Sequence, residues 1–343
     1  MNSMIKVFLF SFFLALLFLD SPGKLLQLKK QFGEDELLLP RQIIASRDEI
    51  FVLDEYADMT SGDEKIKIFS MDGTFKMEFG RSGQGPGEYG EASAIYILNN
   101  KIYILDTLMR KVHIFSQKDR KFLESKKVWL GAPKQPFTTP GEFLIAPDGA
   151  IYYTASRAVK GEKLITKLVE IPGNEFRYEK GLLDCIPFYN TRSEMMKKSM
   201  QEENNPDSVR ESYINDGYIA FSNNKIYFTH WLLNIVYELS TEGEILAKYI
   251  LPLKSIEKKV NVVKMTRFYV IERRLNYDLL SHNGRIYVLS RDENGDSIIF
   301  QLEKGNFVEK YRMKEQLFSF DISGNRLYGI DNEKCLVYLY HLE

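Results

Sequence analysis

Six copies of one short strand pattern recur along the chain, a turn signal precedes each, and the last copy has too few residues to finish its own sheet. Together these predict an all-β protein, a six-bladed β-propeller of four-stranded blades whose last blade is closed by the N-terminal strand. Each copy is an Ile or Leu, an aromatic, further mostly apolar positions and a polar or turn-prone residue. The copies are Ile50–Asp54, Ile102–Asp106, Ile151–Ala155, Ile226–His230, Ile286–Ser290 and Leu327–Asp331. Their spacing, about 40 to 75 residues, suits one blade plus insertions.

The flanking elements repeat in a fixed order. An apolar segment comes first, as in Ala94–Leu98 or Gly217–Phe221, and would form the inner strand. Asn, Asp and Gly then cluster before each copy, as in Asn99-Asn100, Asp148-Gly149, Asn223-Asn224 and Asn283-Gly284, supplying the positive φ of tight hairpins. A third strand follows most copies, for example Lys65–Phe69, Lys111–Phe115, Ile235–Leu239 and Leu336–Tyr340, with the period-two alternation of a sheet. A fourth follows the next turn, as in Thr74–Phe79 or Ile245–Tyr249. The sixth copy ends at Glu343 without one. Leu25–Gly33 (LLQLKKQFG) is similar to Phe75–Gly80 and is expected to fill that place, which would tie the chain ends together and remove an open edge.

Two segments break the rhythm. A partly helical insertion is expected near 184–213, around Glu194–Asn204, and a charge-rich one spans Lys254–Arg274. Residues 1–23 form a separate unit. Lys6 precedes an apolar run, Val7–Leu19, then Asp20, Ser21, Pro22 and Gly23. The run is short for a membrane span and fits the core of a secretory signal peptide. The reading is export, to the periplasm or cell envelope. Leu17–Leu19 offers no small-residue cleavage site, which leaves an uncleaved, membrane-tethering segment open, alongside a buried N-terminal helix. With 46 Lys and Arg against 47 Asp and Glu, no polybasic field exists to hold nucleic acid. Cys185 and Cys335 could pair in an exported protein or stand as two buried thiols; neither belongs to a metal motif.

Gly80–Gly90 (GRSGQGPGEYG) contains the string G-x-G-x-x-G, yet no helix follows it to receive a pyrophosphate and no Gly-Lys-Ser/Thr is present. The mechanical reading is a crossing from one blade's outer strand to the next blade's inner strand, with Glu88 accepting hydrogen bonds from amides in the bend. Gly80–Glu88 also resembles the G-x-x-G-x-G-P-G-E signature of exported six-bladed propellers of Bacteroidetes, relatives of NHL-type propellers; Ile102–Asp106 with Lys111–Phe115 is similar to an NHL blade's second and third strands. The resemblance spans residues 25 to 343 and is tightest in the first two blades. It implies the fold and an exported location, and it supplies no reaction.

Candidate chemistry is sparse. Asp54, Asp106 and Asp331 recur at the end of the second strand, where an Asp accepts hydrogen bonds from the next loop. A carboxylate ring holding a cation is the competing reading. His113, His230, His282 and His341 show no zinc spacing, and no G-x-S-x-G elbow occurs. Inner strands such as Ile95–Leu98 and Tyr218–Phe221 are apolar, which speaks against a metal site on the axis. The expectation is therefore a non-catalytic recognition scaffold without metal or cofactor, its partner a protein, peptide or glycan. Its top-face candidates are Arg81, Glu88, Arg110, Arg157, His230, Trp231 and Arg291. The alternative is a metal-assisted hydrolase or lyase with its site at the propeller axis.

Overall fold

The computed structural model describes residues 23–54, 65–129, 140–155, 163–173, 175–184, 217–231, 233–253, 262–265, 268–271 and 275–342. The signal-like residues 1–22, Arg157, Cys185 and the expected helical insertion beyond Asp184 lie outside them.

Every regular element among the described residues is a β-strand. Blade 1 runs outward from Pro40–Ser46 through Glu49–Asp54 and Lys65–Ser70 to Phe75–Phe79, each strand antiparallel to the last. Blade 2 spans Ala92–Leu98 to Phe122–Trp129, blade 3 Pro140–Ile145 to Glu175–Asp184, blade 4 Gly217–Ser222 to Ile245–Ile250, and blade 5 Asn276–His282 to Asn306–Met313. Blade 6 contributes Ser319–Ser323, Arg326–Asp331 and Leu336–His341.

Burial follows position within the blade. The second strand, pressed between neighbouring blades on both faces, is buried after its first residue in Glu49–Asp54, whereas the outer strand Phe75–Phe79 is almost wholly exposed. This is why the second strand reads as an unbroken apolar run and carries the repeat. The hairpins between first and second strands use the expected residues: Asn99 and Asn100 sit at φ 50° and 63°, Asn223 and Asn224 at 51° and 60°. In blade 1 the left-handed position falls on Arg47, at φ 57°, beside the Asp that the turn signal emphasised.

The ring closes as anticipated, with one correction. Leu28–Phe32 pairs antiparallel with Leu336–His341, Leu28 opposite Tyr340 and Phe32 opposite Val337, and becomes the fourth strand of blade 6. Leu25 does not belong to it. Lys24–Leu25 runs parallel to the outer strand of blade 5, opposite Tyr311 and Arg312, so the N-terminal segment spans two blade edges. Buried Leu26, between these pieces, packs among blades 5 and 6 and forces the change of partner. Phe32 then seats against Phe69 of blade 1, ring centroids 5.2 Å apart. Burying that ring stabilises the closure by about 2 kcal/mol. It needs Gly73, at φ 86°, because any Cβ there would lie 2.4 Å from the Phe32 ring.

Six hydrophobic clusters among the described residues sit one in each gap between successive blades, including the gap from blade 6 back to blade 1. The core is thus a ring of wedges. Blades 2 and 3 are joined a second time at the rim, where Lys127–Trp129 runs parallel to Glu175–Arg177 and merges the two sheets. The charge-rich insertion after blade 4 holds a short hairpin, Val262–Met265 with Phe268–Ile271.

Candidate functional site

The glycine-rich loop is a bend built around two side chains. Tyr89 is fully buried between blades 1 and 2 and fills the space over Gly80, where a Cβ would meet its hydroxyl at 2.1 Å. Glu88 folds back, accepts the Gly85 N–H at 2.7 Å and meets Arg81 at 2.6 Å. The Gly85 amide, with the Arg81 charge, holds its carboxyl below the usual carboxylate range. The amides of this loop are directed to Glu88 and to the loop's own carbonyls, Gly83 N–H to Tyr89 and Tyr89 N–H to Arg81, rather than to a phosphate.

The loop ends at the first of the repeated aspartates. Asp106 is fully buried and accepts the Gly90 N–H (2.7 Å), the Met109 N–H (2.8 Å) and a 3.2 Å contact from His113 Nε2. Burial pushes its carboxyl up, and the hydrogen bonds from His113, Met109 and Gly90 outweigh that, leaving it below the ordinary value. Asp54 repeats the arrangement with the Leu39 N–H at 2.7 Å and Lys67 at 2.7 Å. Asp331 does so with the Glu333 and Lys334 amides and Tyr338. In all three, the third residue of the third strand (His113, Lys67, Tyr338) faces the aspartate. These carboxylates are stitches between strand end and loop, as the repetition implied.

Antiparallel strand order puts the blade-to-blade crossings and the loops between second and third strands at one end of the ring, so Arg81, Glu88, Arg110, Trp231 and Arg291 share a face. Their settings differ. Arg81 keeps 73% of its side-chain surface in solvent, and Arg110, at φ 55°, is also exposed. Arg291 is engaged by the protein: its guanidinium lies 3.9 Å over the Tyr277 ring and donates to the Leu317 carbonyl at 3.0 Å. Trp231 is half-buried beside Tyr218. His230, expected at the rim, is fully buried. It ends a second strand that a neighbouring side chain covers: Asn276 donates to the His230 carbonyl (2.8 Å), the Leu233 carbonyl (2.7 Å) and Thr229 Oγ1 (2.8 Å), while accepting from Ser290. Asn276, the first residue of blade 5's inner strand, clamps blades 4 and 5 and pairs with Ser290, which stands where other blades use aspartate.

The axis holds what the sequence reading missed. The six inner strands enclose a cavity of about 360 Å³. Its wall on blades 3 and 4 is uncharged: Phe143, Leu144, Ile219, Ala220 and Phe221. Blades 5 and 6 present Asp278, Ser281, His282, Ser319 and Asp321, which corrects the expectation of an apolar axis. Asp278 accepts the Leu279 N–H and Ser319 Oγ–H, both at 2.7 Å, and the Phe320 N–H at 2.9 Å. Asp321 accepts the Ile322 N–H at 2.7 Å and the Ala45 N–H at 2.8 Å. Each therefore bridges its blade to the next, as Gln42 does from blade 1 by accepting the Ile95 N–H at 2.8 Å. Burial pushes Asp278 up to about 6 and Asp321 up to about 7, the hydrogen bonds offsetting only part of it and the Asp278 charge adding to the second. The available signal was one acid inside each of two apolar runs, Tyr277–Leu280 and Phe320–Ile322, which broke no repeat and so stood out little.

Among the described residues no three His, Cys, Asp or Glu side chains converge as metal ligands, and no helix is long and apolar enough to cross a membrane. Cys335, at φ 58°, donates its thiol to the Leu38 carbonyl, and burial raises its pKa.

Residues 33–181 match the family model DUF5128, a 6-bladed beta-propeller. Among solved structures, a member of the DUF4221 family from Bacteroides vulgatus is similar at a TM-score of 0.58 and 9% identity, over 93% of this chain and 97% of that one. A "Putative exported protein" from Bacteroides fragilis is similar at a TM-score of 0.51 and 15% identity, over 94% of each chain. At such identities the likeness is one of fold. No curated protein matches the chain in sequence. Taken with the sheets themselves, these matches agree on the fold, a six-bladed β-propeller.

Proposed function

We propose that the propeller is an exported, non-catalytic recognition scaffold that binds a protein, peptide or glycan on the face carrying the blade-crossing loops. One observation carries this reading: the repeated strand-end carboxylates beneath this face are committed to backbone amides. Cations and aromatics remain at the loop face, with Arg81 and Arg110 exposed and Trp231 half-buried, a mixture suited to binding. A metal-assisted hydrolase or lyase would need a third ligand on the axis beside Asp278 and Asp321. Export rests on the signal-like N-terminus and on the name of the Bacteroides fragilis neighbour.

The test is affinity enrichment from envelope extracts with the purified propeller, repeated with an Arg81→Glu/Arg110→Glu/Trp231→Ala variant. Loss of the same partner from the variant, with an unchanged melting temperature, supports this face. A partner retained in full by the variant places the site elsewhere, and chelator-sensitive hydrolase or lyase activity would displace the scaffold reading.

A further inference from the structure

The axial carboxyls carry charge that their hydrogen bonds do not neutralise. Blade 1 bridges to its neighbour with the neutral amide Gln42, which satisfies the Ile95 N–H without introducing charge. Blades 5 and 6 perform the same bridging with Asp278 and Asp321, and no cation among the described residues offsets them. A buried carboxylate without a counter-charge is unfavourable, and although each Asp uses both oxygens on its bridging donors, those donors bring no charge to offset it. Lone pairs also remain. A carboxylate offers about four acceptor positions; Asp278 uses three and Asp321 two. Both line the cavity of about 360 Å³, within the size range of small-molecule sites.

We propose that the axial cavity is a binding site for a small organic cation, a protonated amine whose charge is held by Asp278 and Asp321 and whose body lies against blades 3 and 4. The far wall has no charged residue and adds no carboxylate to the shell of a hard divalent cation. Tyr96, Phe143 and Phe221 on the lining instead suit an organic body. The other titratable groups on the lining are His282, from blade 5, and Tyr96, from blade 2. Burial lowers the first and, with a contribution from Asp321, raises the second, so neither competes for charge at neutral pH and above. A bound ammonium supplies the missing counter-charge, and the site strengthens as the two carboxyls ionise. It is separate from the loop face proposed above and stands or falls independently.

Titration calorimetry on the purified propeller with phenylethylammonium, and with phenylethanol and phenylacetate as neutral and anionic comparators, tests the site. Binding of the ammonium alone is expected, rising about tenfold or more from about pH 5 to about pH 8 as the carboxyls lose their protons. Asp321→Asn and Asp278→Asn should each weaken it about tenfold at about pH 8, in variants shown by their unfolding transitions to be folded at the temperature of the titration. No binding of the ammonium at millimolar concentration, equal binding of the alcohol, or full affinity in both variants overturns the proposal. So does saturable binding of calcium that the same substitutions abolish, since the axis would then be a metal site.

Discussion

Aspartate appears in this propeller in two settings that drive it in opposite directions. At the strand ends, Asp106 is buried yet receives a histidine and loop amides, and these hold it ionised. On the axis, Asp278 and Asp321 also receive amides but no cation, and burial pushes them toward the protonated form. Backbone amides alone do not secure a buried carboxylate. The cationic or polarisable partner on the adjacent strand decides the outcome, and the third strand supplies one at the rim while the axis has no strand further in to do so.

The comparison breaks most readily at Asp106. Asp106→Ala strands the Gly90 and Met109 amides and His113 inside the protein, and is expected to cost about 3 kcal/mol or more in urea unfolding. A loss below about 1 kcal/mol would show that the repeated aspartates are ornaments of the loop. Its neighbour in role, Asn276→Ala, removes the clamp between blades 4 and 5 and should cost about 2–3 kcal/mol on the same measurement.

The axial pair should behave with the reverse sign. A carboxyl whose pKa is raised by folding contributes stability that is fully present below its unfolded value and is lost as pH rises through about 6 for Asp278 and about 7 for Asp321. Asp321→Asn removes this pH dependence but leaves one of the Ala45 and Ile322 amides without an acceptor, so it is expected to cost about 1–3 kcal/mol at about pH 5 and clearly less at about pH 8. Thermal unfolding at the two pH values checks it, and a variant destabilised equally at both would remove the contrast. Asp106 works the other way: its contribution is present above the ordinary carboxylate value and disappears as pH falls through its lowered one. The smallest effect belongs to Arg81→Ala. Its exposed pairing with Glu88 is screened by solvent, so no resolvable change in melting temperature is expected, and a clear loss would mean the loop depends on that ion pair.

Residue patterns made the blades legible because a strand pressed between two neighbours must be apolar at every position and a tight hairpin needs Asn or Gly; Ile102–Asp106 and Asn99-Asn100 state both locally. The strand-end aspartates were legible in part: Asp106 and Asp331 bond the following loop, contiguous in the chain, whereas Asp54 accepts from Leu38 and Leu39 ahead of its blade's first strand. Burial of His230 was not legible, because it depends on Asn276, 46 residues away in the next blade. The split course of the N-terminal segment also escaped: Lys24–Leu25 and Leu28–Phe32 are equally good outer strands, and only the positions of two different blade edges separate them.

The linear order of residues thus specified what contiguous chain can specify: the strand type, the turns, the count of blades and the need for a closing strand. It left open how side chains from separate blades meet. Asp278 and Asp321 lie 43 positions apart and become one electrostatic problem when the ring closes around a cavity that neither strand has alone. Burial and mutual repulsion are properties of that shared space, so the chemistry of the axis exists only once the blades stand around it.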